Sequence, residues 1–362
     1  MTAMLLIAFT LMLAAANGAN DNIKGAATLL GSNVLGYRGA IALATLATGA
    51  GGIVSIYLAN GLLQAFSGKG IVPQEMTGSL SFLLPVAIGA AATVWFASFK
   101  GMPISTTHAL LGGILGAGLA GAAQAVAWTV AAKLMLLPLL LSPLIALALS
   151  YLLAPLLRRM RRSGEASDPC VCTDSQPAIA GDAIVLREAL VFGRTDAAPC
   201  APAPGRSVMR LPAQGLLDYT HMLSAAAVSF ARGLNDTPKI AALLVASGSL
   251  SVMSSSLWVI AAMSIGGLIA GQRVANTLAF KVTKMDPGEG LGGNLVTAAL
   301  VIGASRFGLP VSTTHVSTGA LFGIAASNGS GHWTMIRTIL LAWCFTLPVA
   351  CLIAYIVASL FR

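Results

Sequence analysis

Ten apolar segments follow one another along the chain. They lie at residues 2–16 (running past a polar interruption to 35), 38–63, 79–99, 102–123, 125–156, 216–247, 252–270, 291–305, 309–326 and 333–360. Most approach the roughly 20 residues that a helix needs to span a bilayer. Several are broken by Gly or Pro, and the glycine-rich stretch 102–123 suits a re-entrant hairpin as well as a full span. The alternation of a barrel is missing, so strands are not indicated. The pattern predicts an all-α polytopic membrane protein. Residues 2–16 lack the basic n-region of a signal peptide and read as half of the first membrane helix.

The pattern stops between residues 157 and 215. Arg158, Arg159, Arg161 and Arg162 come directly after an apolar segment, and Pro, Ala, Ser and Asp come after them without sustained periodicity. This composition predicts a disordered linker, and its basic cluster places it in the cytoplasm. Three parts result: a first membrane repeat at 1–156, a linker at 157–215 and a second membrane repeat at 216–362.

Composition agrees with the pattern. Hydrophobic residues make up 56% and charged residues 9%, and the mean hydropathy is +0.84, whereas a soluble domain carries roughly 25% charge. The net charge of +9 is scattered over loop ends, with no basic stripe for nucleic acid. Cys170, Cys172 and Cys200 lie in the linker, Cys344 and Cys351 in the last segment. Their irregular spacing, with no His nearby, argues against a metal site and for reduced, idle thiols. His221 and His332 read as interfacial residues at helix ends.

Two polar islands interrupt the apolar sequence. The first is Asn17-Gly18-Ala19-Asn20-Asp21-Asn22-Ile23-Lys24-Gly25; the near copy is Arg232-Gly233-Leu234-Asn235-Asp236-Thr237-Pro238-Lys239. Ionisable residues at membrane depth are costly and mark pathways or binding sites. A second match pairs Pro103-Ile104-Ser105-Thr106-Thr107-His108 with Pro310-Val311-Ser312-Thr313-Thr314-His315. The offsets are 215 residues for the aspartates, 214 for Ala65-Phe66 against Ala279-Phe280, and 207 for the hexapeptides. One small deletion aligns the halves, so the chain is an internal duplication. Packing alone would preserve Gly and Ala; it would not preserve Asn-Asp and Ser-Thr-Thr-His.

The hexapeptide has a physical reading. Pro favours a first helical turn, and Ser and Thr cap its unpaired amides. A helix start with a partial positive charge suits an anion. Ser105, Thr106, Thr107, His108 and their counterparts Ser312, Thr313, Thr314 and His315 are therefore candidate donors to one tetrahedral anion. The competing reading is that the hydroxyls only cap buried kinks. Asn20-Asp21 and Asn235-Asp236, placed at helix breaks, supply oxygens for a cation such as Na⁺; the alternative is capping and pairing with lysine.

With these four motifs in this order, the chain resembles the inorganic phosphate transporter (PiT) family of sodium- or proton-coupled carriers. The resemblance covers both halves. It implies an inverted repeat with broken helices and re-entrant hairpins, termini outside the cell membrane, phosphate on the hydroxyls and helix starts, cations at the Asn-Asp pairs, and dimers. It implies no cofactor beyond a coupling Na⁺ or H⁺. Two departures stand out. Family motifs read Gly-Ala-Asn-Asp-x-x-Asn, whereas both copies here end in Lys24 and Lys239; and a family carboxylate before the second hexapeptide is replaced by Asn294, with Glu289 out of register. Each lysine stands three residues after its aspartate, in the first turn after a predicted break, so the pair shares a helix face. Each ammonium either stands where relatives place a coupling cation or forms a static ion pair. Sulfate is the nearest competing substrate. An intramembrane hydrolase using Asp21, Asp236, His108 and His315 would need an asymmetric set, and a membrane sensor would signal through the linker.

Overall fold

The computed structural model describes residues 2–165, 169–180, 183–194, 208–210 and 213–361, with side chains outside 159–214. Helix α1 (Thr2–Asp21) enters a 3-10 turn (Asn22–Gly25) and the short α2 (Ala27–Gly31). Then come α3 (Tyr37–Leu58), α4 (Asn60–Ala65), the pair α5 (Leu80–Phe99) and α6 (Thr106–Ala122), and α7 (Trp128–Val130), which passes through a π turn into α8 (Leu137–Glu165). The second half holds α9 (Ala213–Ala246), α10 (Val252–Ala270), α11 (Gln272–Phe280), the pair α12 (Pro287–Arg306) and α13 (Thr313–Asn328), and α14 (Trp333–Leu360). Among the described residues, seven helices are long and apolar enough to cross a membrane. Burial inverts the soluble pattern: Leu46 and Ile269 are 76% and 79% exposed, whereas Asn20 and Arg232 are fully buried. A polar interior inside an apolar perimeter is that of a multi-pass membrane protein.

The two halves are interlaced. Helix α1 crosses α10, and its mate α9 crosses α3; α6 packs on α14, and its mate α13 on α8. Small residues let the backbones touch, as helices in lipid require. A Cβ on Gly18 would lie 1.9 Å from the carbonyl oxygen of Met263, and one on Gly233 would lie 2.0 Å from that of Thr48. Gly18 and Gly233 stand 215 residues apart, as do Thr48 and Met263. Helices α6 and α13 repeat the device: a Cβ on Gly116 would lie 2.1 Å from the Cys351 oxygen and one on Gly323 2.3 Å from that of Leu147. Gly18→Ala meets a backbone carbonyl that cannot rotate away, so it is expected to destabilise by about 3 kcal/mol, the upper end for overpacking. Gly303→Ala, where nothing lies within 4 Å, is the control. Thermal unfolding in detergent reads both; equal melting temperatures would refute the close crossing.

Three expectations need correction. The second island does not break its helix: α9 runs unbroken from Ala213 to Ala246 through Pro238. The cause lies in the residues next to each lysine on its C-terminal side. Gly25 costs a helix about 1 kcal/mol against Ala, and the missing Cβ admits Ser229 of α9, whose Oγ would stand 2.2 Å from it. After Lys239 come Ile240-Ala241-Ala242-Leu243-Leu244, apolar helix formers buried in the core. Lys24 therefore lies in a 3-10 turn and Lys239 in mid-helix, not in the first turn after two matched breaks.

Second, the linker carries strands. β1 (Pro169–Ala180) pairs antiparallel with β2 (Ala183–Arg194) from Pro169↔Arg194 to Ala180↔Ala183, and β3 (Val208–Arg210) adds to the other edge at Cys170–Cys172. Ile184-Val185-Leu186 and Leu190-Val191-Phe192 are the β-branched and aromatic runs that favour pairing. Pro177 falls beyond the stretch that β3 covers, on an edge that pairs with no other described strand, where its missing N–H is tolerated. The cytoplasmic placement of the linker and the side chains of its cysteines and of Arg159, Arg161 and Arg162 lie outside what is described. Cys344 and Cys351 are free thiols. Third, His221 is fully buried in α9 and bonded to Thr28, not interfacial, while His332 is exposed at the start of α14.

Candidate functional site

The hexapeptides end in two helix starts of the same build. Ser105 caps α6 with φ −97° and ψ 114°, and Ser312 caps α13 with φ −99° and ψ 115°. Each Oγ accepts the amide of the histidine three residues on, His108 at 3.1 Å and His315 at 3.2 Å. The preceding helices also end alike. Gly101 and Gly308 take φ +68° and +67°, where only glycine is unstrained. Met102 then donates to the Ala97 oxygen and Leu309 to that of Ala304, both at 2.9 Å. The amides that open α6 and α13 ahead of the capped one have no intrahelical acceptor.

Both lysines join the two halves at these starts. The Lys24 ammonium contacts Asp21 and donates to Asn20 Oδ1 at 3.0 Å, to the Ile104 oxygen at 3.2 Å and to Thr314 Oγ1 at 2.5 Å. Lys239 donates to Thr107 Oγ1 at 2.9 Å and to the Val311 oxygen at 2.6 Å, with Asp236 at 3.6 Å. Each ammonium thus takes a carbonyl from its own half and a threonine hydroxyl from the other. Thr314 in turn donates to the Ile104 oxygen at 2.7 Å and Thr107 to the Val311 oxygen at 3.4 Å.

The remaining motif residues complete one buried network. Thr106 accepts from Asn17 at 2.9 Å, and Thr313 accepts from Asn235 at 3.1 Å. Asn17 also bridges the two carboxylates, donating to Asp21 at 3.0 Å and to Asp236 at 3.3 Å. His108 and His315 stack with centroids 4.4 Å apart, and Trp343 covers His315 at 3.8 Å. The imidazoles therefore seat α6 and α13 on each other and on α14. His315 Nδ1 meets Ser312 Oγ at 3.0 Å.

Several residues of this network do not stand out as site residues in the sequence. Arg232, fully buried, donates to Asn17 Oδ1 at 2.6 Å and Asn22 Oδ1 at 2.9 Å, and approaches Asp236 at 3.8 Å. Asn17 and Arg232 occupy the same position in the two islands, which is the signal that could have found them. Ser98 accepts from Asn20 at 3.1 Å, and Ser305 donates to Asn235 at 3.2 Å. They are legible as Ala-Ser-x-x-Gly-x-Pro, a prefix common to both hexapeptides. Glu289 takes no part: it forms a capping box with Asp286 and an ion pair with Arg158 at 3.1 Å.

Three buried cations, Lys24, Arg232 and Lys239, face two buried carboxylates, Asp21 and Asp236. Burying an unmatched charge costs several kcal/mol, so the cluster is chemically suited to one further negative charge. The sequence model described as "Phosphate transporter family" matches residues 17–354, which include every one of these groups. The chain belongs to the phosphate transporter family. It is 27% identical to "Inorganic phosphate transporter 2-1, chloroplastic" of Arabidopsis thaliana over 416 residues, covering 95% of this chain and 69% of that one. It is 29% identical to a "Probable low-affinity inorganic phosphate transporter" of Rhizobium meliloti (strain 1021), covering 96% and 93%. A solved structure titled "The sodium-dependent phosphate transporter" overlays with a TM-score of 0.76 at 19% identity, covering 99% of this chain and 98% of that one; this likeness is one of fold. The family's members are transporters and permeases, so this family member is not an enzyme, and the hydrolase alternative falls.

Proposed function

We propose that the chain is a secondary carrier for inorganic phosphate, coupled to protons rather than to Na⁺. The observation that carries it is the excess of one buried cation at two capped helix starts, each held by a lysine of the opposite half. A phosphate between the starts takes the free first-turn amides and the hydroxyls of Thr107 and Thr314, and the ammonium groups turn from those hydroxyls to the anion. Ser105 and Ser312 hold the turns in shape, while Thr106 and Thr313 hold Asn17 and Asn235. The coupling preference comes from the oxygens proposed for Na⁺. Asn20 Oδ1 and Asp21 Oδ1 are engaged by Lys24, Asp21 Oδ2 by Asn17, Asn235 Oδ1 by Ser305, and Asp236 by Asn17, Arg232 and Lys239. Fixed positive charge already stands at both carboxylates.

The halves are read as an inverted repeat, with termini outside and the linker in the cytoplasm. The reciprocal crossings of α1 with α10 and of α9 with α3 support this reading, as does the basic end of α8.

The test is uptake of labelled phosphate and sulfate into proteoliposomes, with Na⁺ and proton gradients varied separately. Phosphate uptake driven by a proton gradient, with sulfate a weak competitor, is expected; sulfate taken up in preference would overturn the substrate. In the same assay Thr107→Val and Thr314→Val keep volume but lose a hydroxyl. A hydrogen bond to a charged partner is worth about 1.5–3 kcal/mol, so apparent affinity should fall roughly tenfold or more. Unchanged affinity in both variants would reduce the threonines to caps.

A further inference from the structure

The duplication makes each side of the central site a control for the other, and the two sides differ. On one side Lys24 lines a cavity of about 10 Å³ together with Thr28, Asn294, Thr297 and Ser317. Thr28 and Asn294 share hydrogen bonds at 2.9 and 3.2 Å, Asn294 also donates to Ser224 at 3.2 Å, and His221 Nε2 meets Thr28 at 3.0 Å. His221 Nδ1 is buried and has no partner. At the offsets of 215 and 207 residues, the positions matching Thr28, Asn294, Thr297, Ser317 and His221 are Leu243, Ala87, Ala90, Leu110 and Leu6. All five are apolar and buried.

The backbone repeats the contrast. The first two turns of α12 read Pro287-Gly288-Glu289-Gly290-Leu291-Gly292-Gly293-Asn294, where α5 has Leu80-Ser81-Phe82-Leu83-Leu84-Pro85-Val86-Ala87. Gly290 lies against His221 and Thr28; a Cβ there would stand 2.6 Å from the imidazole and 3.2 Å from the Thr28 Cβ. In the matching wall stands Leu83, fully buried. One wall is thin and polar, the other thick and dry. The thin wall belongs to the linker-facing end, because Arg158, in the last turns of α8 before the linker strands, pairs with Glu289.

We propose that phosphate passes between the central site and the linker-facing side along the seam of α2, α9, α12 and α13, through Lys24, Thr28, Asn294 and Ser317, with His221 as its gate. This rests on the carrier reading above. A cavity of about 10 Å³ has room for about one water molecule, so the seam is closed in this conformation. Thr28, Asn294, Ser224 and His221 close it by bonding to one another, and an oxyanion can exchange those bonds for its own one at a time. The matching seam on the opposite side offers leucine and alanine, so that side opens by parting apolar surfaces and has no polar file.

The experiment pairs a binding readout with a flux readout. Thr28→Val with Asn294→Leu nearly conserves volume and removes the polar file; Thr93→Val, whose hydroxyl donates only to the Gly89 oxygen, is the control. With hydrogen bonds lost along the path, uptake should fall by about tenfold or more while phosphate affinity in detergent changes by less than about threefold. Separately, Ser317→Cys should react with a membrane-impermeant thiol reagent added on the linker side, more slowly with inorganic phosphate present, monitored by the mass of its peptide. Leu110→Cys at the matching position should stay unreactive. Intact binding with unchanged uptake, or equal labelling at 110 and 317, would overturn the passage. Absence of phosphate binding by the parent would instead overturn the carrier reading, a distinct outcome.

Discussion

Phosphate uptake by the parent protein is expected to be indifferent to Na⁺, and the Lys24→Asn, Lys239→Asn double variant is expected to depend on it steeply. Four oxygens surround the Lys24 ammonium: Asp21 in direct contact, Asn20 Oδ1 at 3.0 Å, the Ile104 carbonyl at 3.2 Å and Thr314 Oγ1 at 2.5 Å. Lys239 has the Val311 carbonyl, Thr107 Oγ1 and, at 3.6 Å, Asp236. Carboxylate, amide, carbonyl and hydroxyl oxygens are also the ligands of a hard cation. Removing Lys239 leaves Asp236 with Arg232 alone, and removing the Lys24 ammonium leaves the buried Asp21 carboxylate without its ion-pair partner, a loss of about 3–5 kcal/mol if nothing replaces it. A mobile Na⁺ can replace it, but only at the concentration supplied, and that is what turns a constant into a dependence. Uptake measured against Na⁺ in both proteins decides the matter. A parent rate that climbs steeply with Na⁺ would show that the lysines do not stand in for the ion. A double variant that binds phosphate but ignores Na⁺ would reduce them to static ion-pair partners.

Arg232→Met is expected to cost the most stability of any single change at the centre, about 3–5 kcal/mol, the range for removing one partner of a buried ion pair. The guanidinium is fully buried and serves three elements at once: Asn17 in α1, Asn22 in the 3-10 turn and Thr48 in α3. Methionine fills the space but leaves the Asn17 side-chain oxygen without a donor, leaves Asn22 Oδ1 only Thr48 at 3.3 Å, and takes one of two cations from Asp236. Adding Asp236→Asn removes the carboxylate that Arg232 shares with Lys239, so the double variant should recover part of the loss, a coupling that a mutant cycle measures. Arg232→Lys keeps the charge without the fork and should fall between the two. Thermal unfolding of the purified proteins is the readout. A melting temperature unchanged in Arg232→Met would mean that the guanidinium is not what ties α9 to α1.

Much of the site is legible because a duplication writes each polar residue twice. In lipid, polar residues are too costly to persist without use, so Asn-Asp-x-x-Lys and Pro-x-Ser-Thr-Thr-His stand out against Leu, Ala and Gly. The same cost makes the apolar segments good guides to the helices, with α10 at Val252–Ala270 and α14 at Trp333–Leu360 falling where the pattern ends. Asn17 and Arg232 escape because they are the one position where the islands differ in charge, and a search for identities passes over it. The linker strands escape because a strand needs a partner that local sequence does not name.

What the chain alone determined is local: where apolar runs begin and end, which turns carry caps, and which residues recur at a fixed offset. Only the tertiary structure decided which half serves which. No spacing says that Lys24 reaches Thr314, 290 residues away, or that Gly18 lies on Met263 rather than on its own neighbours. Those pairings come from how two interlaced halves cross where glycine lets backbones meet. Nor could the same motif foretell its own backbone. Asn-Asp-x-x-Lys ends a helix before Gly25 and continues one before Ile240, because the next residues along the chain, and the helices packed against them, set whether the break costs more than the bend.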